Sequence, residues 1–277
     1  MIIPRYKKIS PRFKSKKRRK LVGMLIFILT IVFTSSFIVI YQGFFPLNAT
    51  NNIRVLFIGN SQTDYWNLPA TVEALAKSAP GDRPRITVGK AIVNNTGLEG
   101  IWNSGYSLRT PRTKIHLGNW DYVVIQEAFA ASEEYFRKYA VLFHELIKHK
   151  KAKTILFATA SINELYPDGF KRIYDMNLAL SKELGVPLAS GGYAWLKYWG
   201  TNPTLEDRIY LYASDRMHPG ERGSYIYACT LYAAITGFSP IGLTHEIPHF
   251  SQGTVTPEKA YAFQQAAWNQ YLEDNPS

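Results

Sequence analysis

The sequence predicts a three-layer α/β/α domain built on a mainly parallel sheet of about five strands. Two observations carry this. Short, nearly continuous apolar runs recur along the chain and end in polar residues, as strands buried on both faces do. Between them lie longer segments whose apolar residues repeat at helical spacing. That alternation returns each strand parallel to the last through a right-handed crossover.

The first run, 54–58, is Arg-Val-Leu-Phe-Ile and stops at Gly59-Asn60. Residues 68–77 then carry Val72, Leu75 and Ala76 at helical spacing and break at Ser78-Ala-Pro-Gly. A second strand is expected over 85–93 and a third over 121–126, the latter closing on Gln126. Residues 132–149 place Phe136, Ala140, Phe143, Leu146 and Ile147 on one helical face, and their Lys-rich end suits the negative end of a helix dipole. A fourth strand covers 154–158. Helix 171–184 is ended by Gly185, and 186–189 is a fifth strand. Two helices close the chain: the Tyr-rich 221–236, stopped by Gly237, and 257–272, which opens on Pro257. Segments 94–120 and 159–169 lack a pattern and are expected as loops over a site.

Charge divides the chain unevenly. Ten of the 32 Lys and Arg residues fall within 1–20, leaving 22 against 21 acidic residues elsewhere. The net charge of +11 therefore belongs to the tail, and the folded part carries no basic signature of nucleic-acid binding. Residues 21–41 follow without a charged side chain. At about 1.5 Å per residue such a helix spans the roughly 30 Å hydrocarbon core. A cleaved signal peptide is the alternative, but the run exceeds the usual apolar region of about 7–15 residues and no A-x-A site follows. The expected organisation is a basic cytoplasmic tail (1–20), a transmembrane anchor (21–45) that binds lipid together with the tail, and an extracytoplasmic domain (46–277). The single cysteine, Cys229, permits no internal disulfide and sits in an apolar helical stretch. Asn48-Ala-Thr50 and Asn94-Asn-Thr96 match the glycosylation acceptor pattern.

Three residues carry candidate chemistry. Ser61 follows the first strand in Gly59-Asn60-Ser61, where a Ser or Asn commonly just caps the next helix. Far away, Asp215-Arg-Met-His218-Pro-Gly brings a carboxylate within reach of an imidazole ahead of a helix. A serine hydroxyl becomes a nucleophile when an imidazole takes its proton and a third group orients that imidazole. The site these residues make would lie at strand ends.

With these motifs on the page, the chain resembles the SGNH (GDSL-like) hydrolase superfamily over about residues 53–240. The resemblance rests on Gly59-Asn60-Ser61 and the late Asp215-x-x-His218 block. It implies a flavodoxin-like α/β/α fold, Ser61 as nucleophile, His218 as base and Asp215 as its partner. It also implies an oxyanion hole made of the serine N–H, a glycine N–H after the second strand and an asparagine amide after the third. Here Gln126 stands where that asparagine would be. Asn94-Asn-Thr-Gly97-Leu-Glu-Gly100 gives no firm match for the glycine, with Asn95 and Gly97 as candidates. The resemblance further implies ester hydrolysis with no metal or organic cofactor. The expected surface location and an aromatic-rich mouth, not a substrate motif, point to an acylated small molecule or glycan, such as an envelope polymer, as the substrate. An acyltransferase using the same serine, or a non-catalytic binding protein that keeps the fold, stays open.

Other motifs are read as structural. His245-Glu-Ile-Pro-His249 matches H-E-x-x-H, but Pro248 disfavours the helix which that zinc motif requires. His144 and His149 are expected to be solvated. Tyr193, Trp195, Tyr198 and Trp199 are expected as core or lid, with sugar stacking the minority reading.

Overall fold

The computed structural model describes residues 52–276. The basic tail, the anchor and the Asn48 acceptor lie outside the described residues. Among the described residues no helix is long and apolar enough to cross a membrane.

Five parallel strands form the sheet: β1 (Asn52–Gly59), β2 (Arg85–Ile92), β3 (Tyr122–Gln126), β4 (Lys153–Ala158) and β5 (Leu188–Ser190). Their order is β2-β1-β3-β4-β5. β1 thus has β2 on one side and β3 on the other. The chain reverses its direction of winding between them, which opens a crevice at their carboxyl ends.

Ten helices surround the sheet among the described residues. In chain order they are α1 (Ser61–Asp64), α2 (Leu68–Ser78), α3 (Leu98–Trp102), α4 (Pro111–Leu117), α5 (Glu133–His149), α6 (Asp168–Leu184), α7 (Gly191–Trp199), α8 (Leu205–Ile209), α9 (Glu221–Thr236) and α10 (Pro257–Asp274). Side chains alternate across each strand, so the sheet feeds two cores. Val55, Phe57, Val124, Ile155, Phe157 and Ala189 pack with α2, α7, α9 and α10. Leu56, Ile58, Val123, Ile125, Leu156 and Leu188 pack with α3, α4, α5 and α6. Helix α9 is apolar nearly all round because it is covered on every side, by the sheet, α2, α7 and α10. Cys229 lies fully buried within it, and burial pushes its thiol up, away from reactivity.

The sequence reading differs at several ends. β5 begins at Leu188 rather than at residue 186. Pro187 has no N–H for a ladder, and the Val186 N–H is taken by Ser181 O at 3.1 Å. The segment 94–120 is not simply loop, since it holds α3 and α4. Helix α6 starts at Asp168, ahead of the expected residue 171. Helix α7 was not expected as a helix. Its opening glycines allow it to sit against the end of β4, where a Cβ on Gly192 would lie 2.6 Å from Thr159 O.

Asp274, at the end of α10, ties the last helix to β5. It accepts from Ser190 N–H at 3.2 Å and from Gln270 Nε2 at 2.7 Å. Burial raises its carboxyl to about 6 despite these bonds. Its folded value exceeds its unfolded one, so the stability it confers is complete below about pH 4 and is lost as pH rises through about 6. In urea unfolding, wild type should lose about 2–3 kcal/mol relative to Asp274→Asn between pH 4 and 7. A constant difference across that range would refute the assignment.

Candidate active site

The site starts at the end of β1. Gly59 closes that strand beside the Gln126 side chain: a Cβ on Gly59 would lie 2.5 Å from Gln126 Oε1. Asn60 then turns the chain. Its N–H donates to Gln126 Oε1 at 3.0 Å, its Oδ1 accepts from Gln62 N–H at 3.0 Å, and its Nδ2 donates to Thr96 O at 2.9 Å. Asn60 is therefore the N-cap of α1, and Ser61 is left at the first helical position with its hydroxyl free for other work. Among the described residues the Ser61 N–H meets no acceptor.

The imidazole arrives from a hairpin 157 residues away. Tyr212 and Pro219 form an antiparallel bridge, and Ala213 N–H donates to His218 O at 2.8 Å. The Asp215 side chain folds back over its own turn. Its Oδ1 accepts from the N–H groups of Met217 and His218, each at 2.9 Å, and its Oδ2 lies 2.7 Å from His218 Nδ1. Partial burial pushes the Asp215 carboxyl up, but the hydrogen bonds from His218 and Met217 together outweigh it and hold the carboxyl below its ordinary value. A carboxylate at Nδ1 makes that nitrogen the donor, so Nε2 of the neutral ring is an acceptor. Nε2 lies 2.8 Å from Ser61 Oγ. The three predicted residues thus form one hydrogen-bonded chain.

Two residues that sequence reading passed over hold this chain in place. Gln62 is buried, and its Nε2 donates to Met217 O at 3.0 Å, which joins the serine helix directly to the histidine hairpin. Tyr65 lies flat on the His218 ring, with centroids 4.0 Å apart and planes within 2°. Neither position belongs to a motif, so no pattern in the sequence marks them.

Ser61 and His218 open into a cavity of about 510 Å³. Asn95 and Gly97 line it too. Asn95 has φ +59°, a left-handed conformation that Asn tolerates better than most residues and that glycine would adopt freely. Gly97 is needed for another reason: a Cβ there would lie 1.9 Å from Glu127 Oε1.

Gln126 does not fit the role given to it. It is fully buried and does not line the cavity. Its Oε1 accepts from Asn60 N–H and from Thr63 Oγ1 at 2.9 Å, and its Nε2 donates to Glu127 O. The Asn60 N–H can only donate, which fixes the amide with its oxygen toward β1 and its NH2 group committed elsewhere. Gln126 builds the turn that presents Ser61 and does not face the cavity.

No protein-family model and no curated protein matches this chain. Solved structures do. A DUF4886 family protein from Bacteroides uniformis superposes with TM-score 0.58 at 20% identity, covering 82% of this chain and 97% of that one. An acetylxylan esterase from Geobacillus stearothermophilus gives 0.53 at 16% identity, over 70% of this chain and 97% of its own. The acetyl xylan esterase AlAXEase gives 0.53 at 20% identity, over 66% and 100%. The chain shares its fold with these solved structures. At such identities the likeness concerns fold alone.

The decoys resolve by geometry. Residues 245–249 are not helical, and His249 Nε2 lies 2.8 Å from Trp66 O and 3.0 Å from Thr71 Oγ1. His144 is not simply solvated: it is half-buried, with Nδ1 3.0 Å from Thr154 Oγ1, and burial lowers its pKa. His149 is exposed. Trp195 stacks on Tyr227 inside the core, and Tyr193, Tyr198 and Trp199 pack against that same core, so this cluster is no platform at the cavity. The aromatic residues that do line the cavity are Phe129 and Tyr135.

Gln126→Met removes both the acceptor and the donor of the buried amide while keeping most of its volume. It should cost about 2–4 kcal/mol, since Asn60 N–H, the Thr63 hydroxyl and Glu127 O all lose a partner. Urea unfolding measures this, and a loss below about 0.5 kcal/mol, the range of ordinary surface changes, would contradict the assignment.

Proposed function

We propose that this chain is a membrane-anchored, extracytoplasmic serine esterase that removes acyl groups from O-acylated glycans or other envelope polymers. The observation that carries the reading is the continuous hydrogen-bonded chain from Asp215 through His218 to Ser61, open to a cavity at the switch point of the sheet. His218 Nε2 takes the Ser61 proton as Oγ attacks the ester carbonyl, and Asp215 steadies the imidazolium that forms. The same proton passes to the departing alkoxide. Water, deprotonated in turn by His218, then releases the acid from the acyl-serine. The Ser61 N–H and the backbone of 95–97 stabilise the oxyanion, each donor contributing about 3–4 kcal/mol. Support for an ester substrate comes from the acetylxylan esterases that share the fold. Support for export comes from the basic tail followed by the uncharged 21–41 run.

The full-length protein in detergent should hydrolyse p-nitrophenyl acetate, and Ser61→Ala should lower kcat by roughly 10³-fold or more. Equal turnover in the two proteins would remove Ser61 from the mechanism. Turnover that requires an added sugar acceptor would replace hydrolysis by acyl transfer. With no turnover on any short-chain ester, the binding-protein reading would take its place.

Protease applied outside intact spheroplasts should degrade 46–277 and spare an N-terminal fragment, read with antibodies to each part. A protected domain would overturn the export reading.

A further inference from the structure

Glu127 is an acid that the mechanism above does not use. It follows Gln126 at the end of β3, is 6% exposed, and lines the same cavity as Ser61 and His218. One of its oxygens is committed: Oε1 accepts from Leu98 N–H at 2.9 Å and from Ala128 N–H at 2.6 Å. Gly97 makes room for that contact. Oε2 has no hydrogen-bond partner among the described residues. Glu127 borders the space a substrate would fill, and Oε2 is its oxygen without a protein donor.

The surroundings narrow what fills it. The lining of the cavity includes a second acid, Glu99, and no Lys or Arg. The nearby guanidinium of Arg172 is spent on the carbonyls of Phe129 and Ala131 in the wall. An anionic substrate would meet like charge without compensation. A short acyl group has no donor to offer, so the donor must come from the alcohol half of the ester.

We propose that Glu127 is a specificity-determining residue whose Oε2 accepts a hydrogen bond from a free hydroxyl on the alcohol half, so that the site selects esters of uncharged, polyhydroxylated alcohols. This rests on the esterase reading and names the substrate class of that same site. Burial raises the Glu127 carboxyl, with Glu99 adding to the rise and the two N–H groups opposing it. A hydroxyl suits such a group because it can donate to the carboxylate and accept from the acid.

The test compares two ring-sized acetates in full-length wild type and Glu127→Gln: a monoacetylated methyl xylopyranoside, and cyclohexyl acetate, which lacks free hydroxyls. The amide oxygen of Gln keeps the Leu98 and Ala128 bonds, and Tm checks that the loop is intact. Replacing a charge-assisted bond by a neutral one should lower the ratio of kcat/KM, glycoside over cyclohexyl ester, about tenfold, chiefly through KM. An unchanged ratio would overturn the inference while leaving the esterase reading standing. If wild type hydrolyses neither ester, the esterase reading fails separately, and calorimetric titration with methyl xylopyranoside decides this one. Weaker binding to Glu127→Gln supports it, and equal or absent binding in both proteins overturns it.

Discussion

The site depends on one buried junction, the Gln126 amide set between the ends of β1 and β3. Its oxygen receives Asn60 N–H and the Thr63 hydroxyl, and its nitrogen closes on Glu127 O. A parallel sheet leaves the last N–H groups of its strands without ladder partners where the chain turns away, and a buried N–H without a partner is rare in folded proteins. Gln126 meets that need at the point where β1 ends. With Asn60 pinned, its side chain is free to cap α1 and to hold Thr96 O, which brings the 94–97 loop beside Ser61. The length of a Gln side chain, one methylene beyond Asn, is what lets a β3 residue reach a neighbouring strand's backbone.

A second constraint works across a much longer sequence distance. The Asp215–His218 hairpin is internally rigid, because one carboxylate serves two backbone N–H groups and an imidazole at once. Rigidity alone does not place it. The Gln62 amide on Met217 O sets its distance from the serine helix, and Tyr65 sets the plane of the ring. Both belong to the turn immediately after Ser61. Ser61 therefore carries on its own segment the groups that position His218.

The sheet was legible in the sequence because its strands are buried on both faces and so read as unbroken apolar runs. The long helices were legible because they show several turns of periodicity. The short α3, α4 and α8 have five to seven residues each, too few for a period to register. Helix α7 was concealed by opening on two glycines, which close packing requires and helix propensity disfavours. Ser61, Asp215 and His218 stood out as residue types with a known division of labour at a usable spacing. Gln126 was found and its direction misjudged, since the orientation of an amide is decided by whichever backbone group lacks a partner. Glu127 was invisible as a site residue. A Glu after a strand is ordinary until its depth and its neighbours are known.

The 157 residues between Ser61 and His218 also bear on how the protein comes to be. Contacts so distant in sequence carry a large loop-closure entropy and tend to form late. Ser61 emerges early on a central strand, whereas the support for His218 runs through Tyr212, α9 and the layer around Trp195. A nascent or truncated chain that lacks α9 and α10 leaves one face of the sheet uncovered and Ser61 without its imidazole partner. Chemical competence is in effect a check on assembly, acquired only when the C-terminal layer docks.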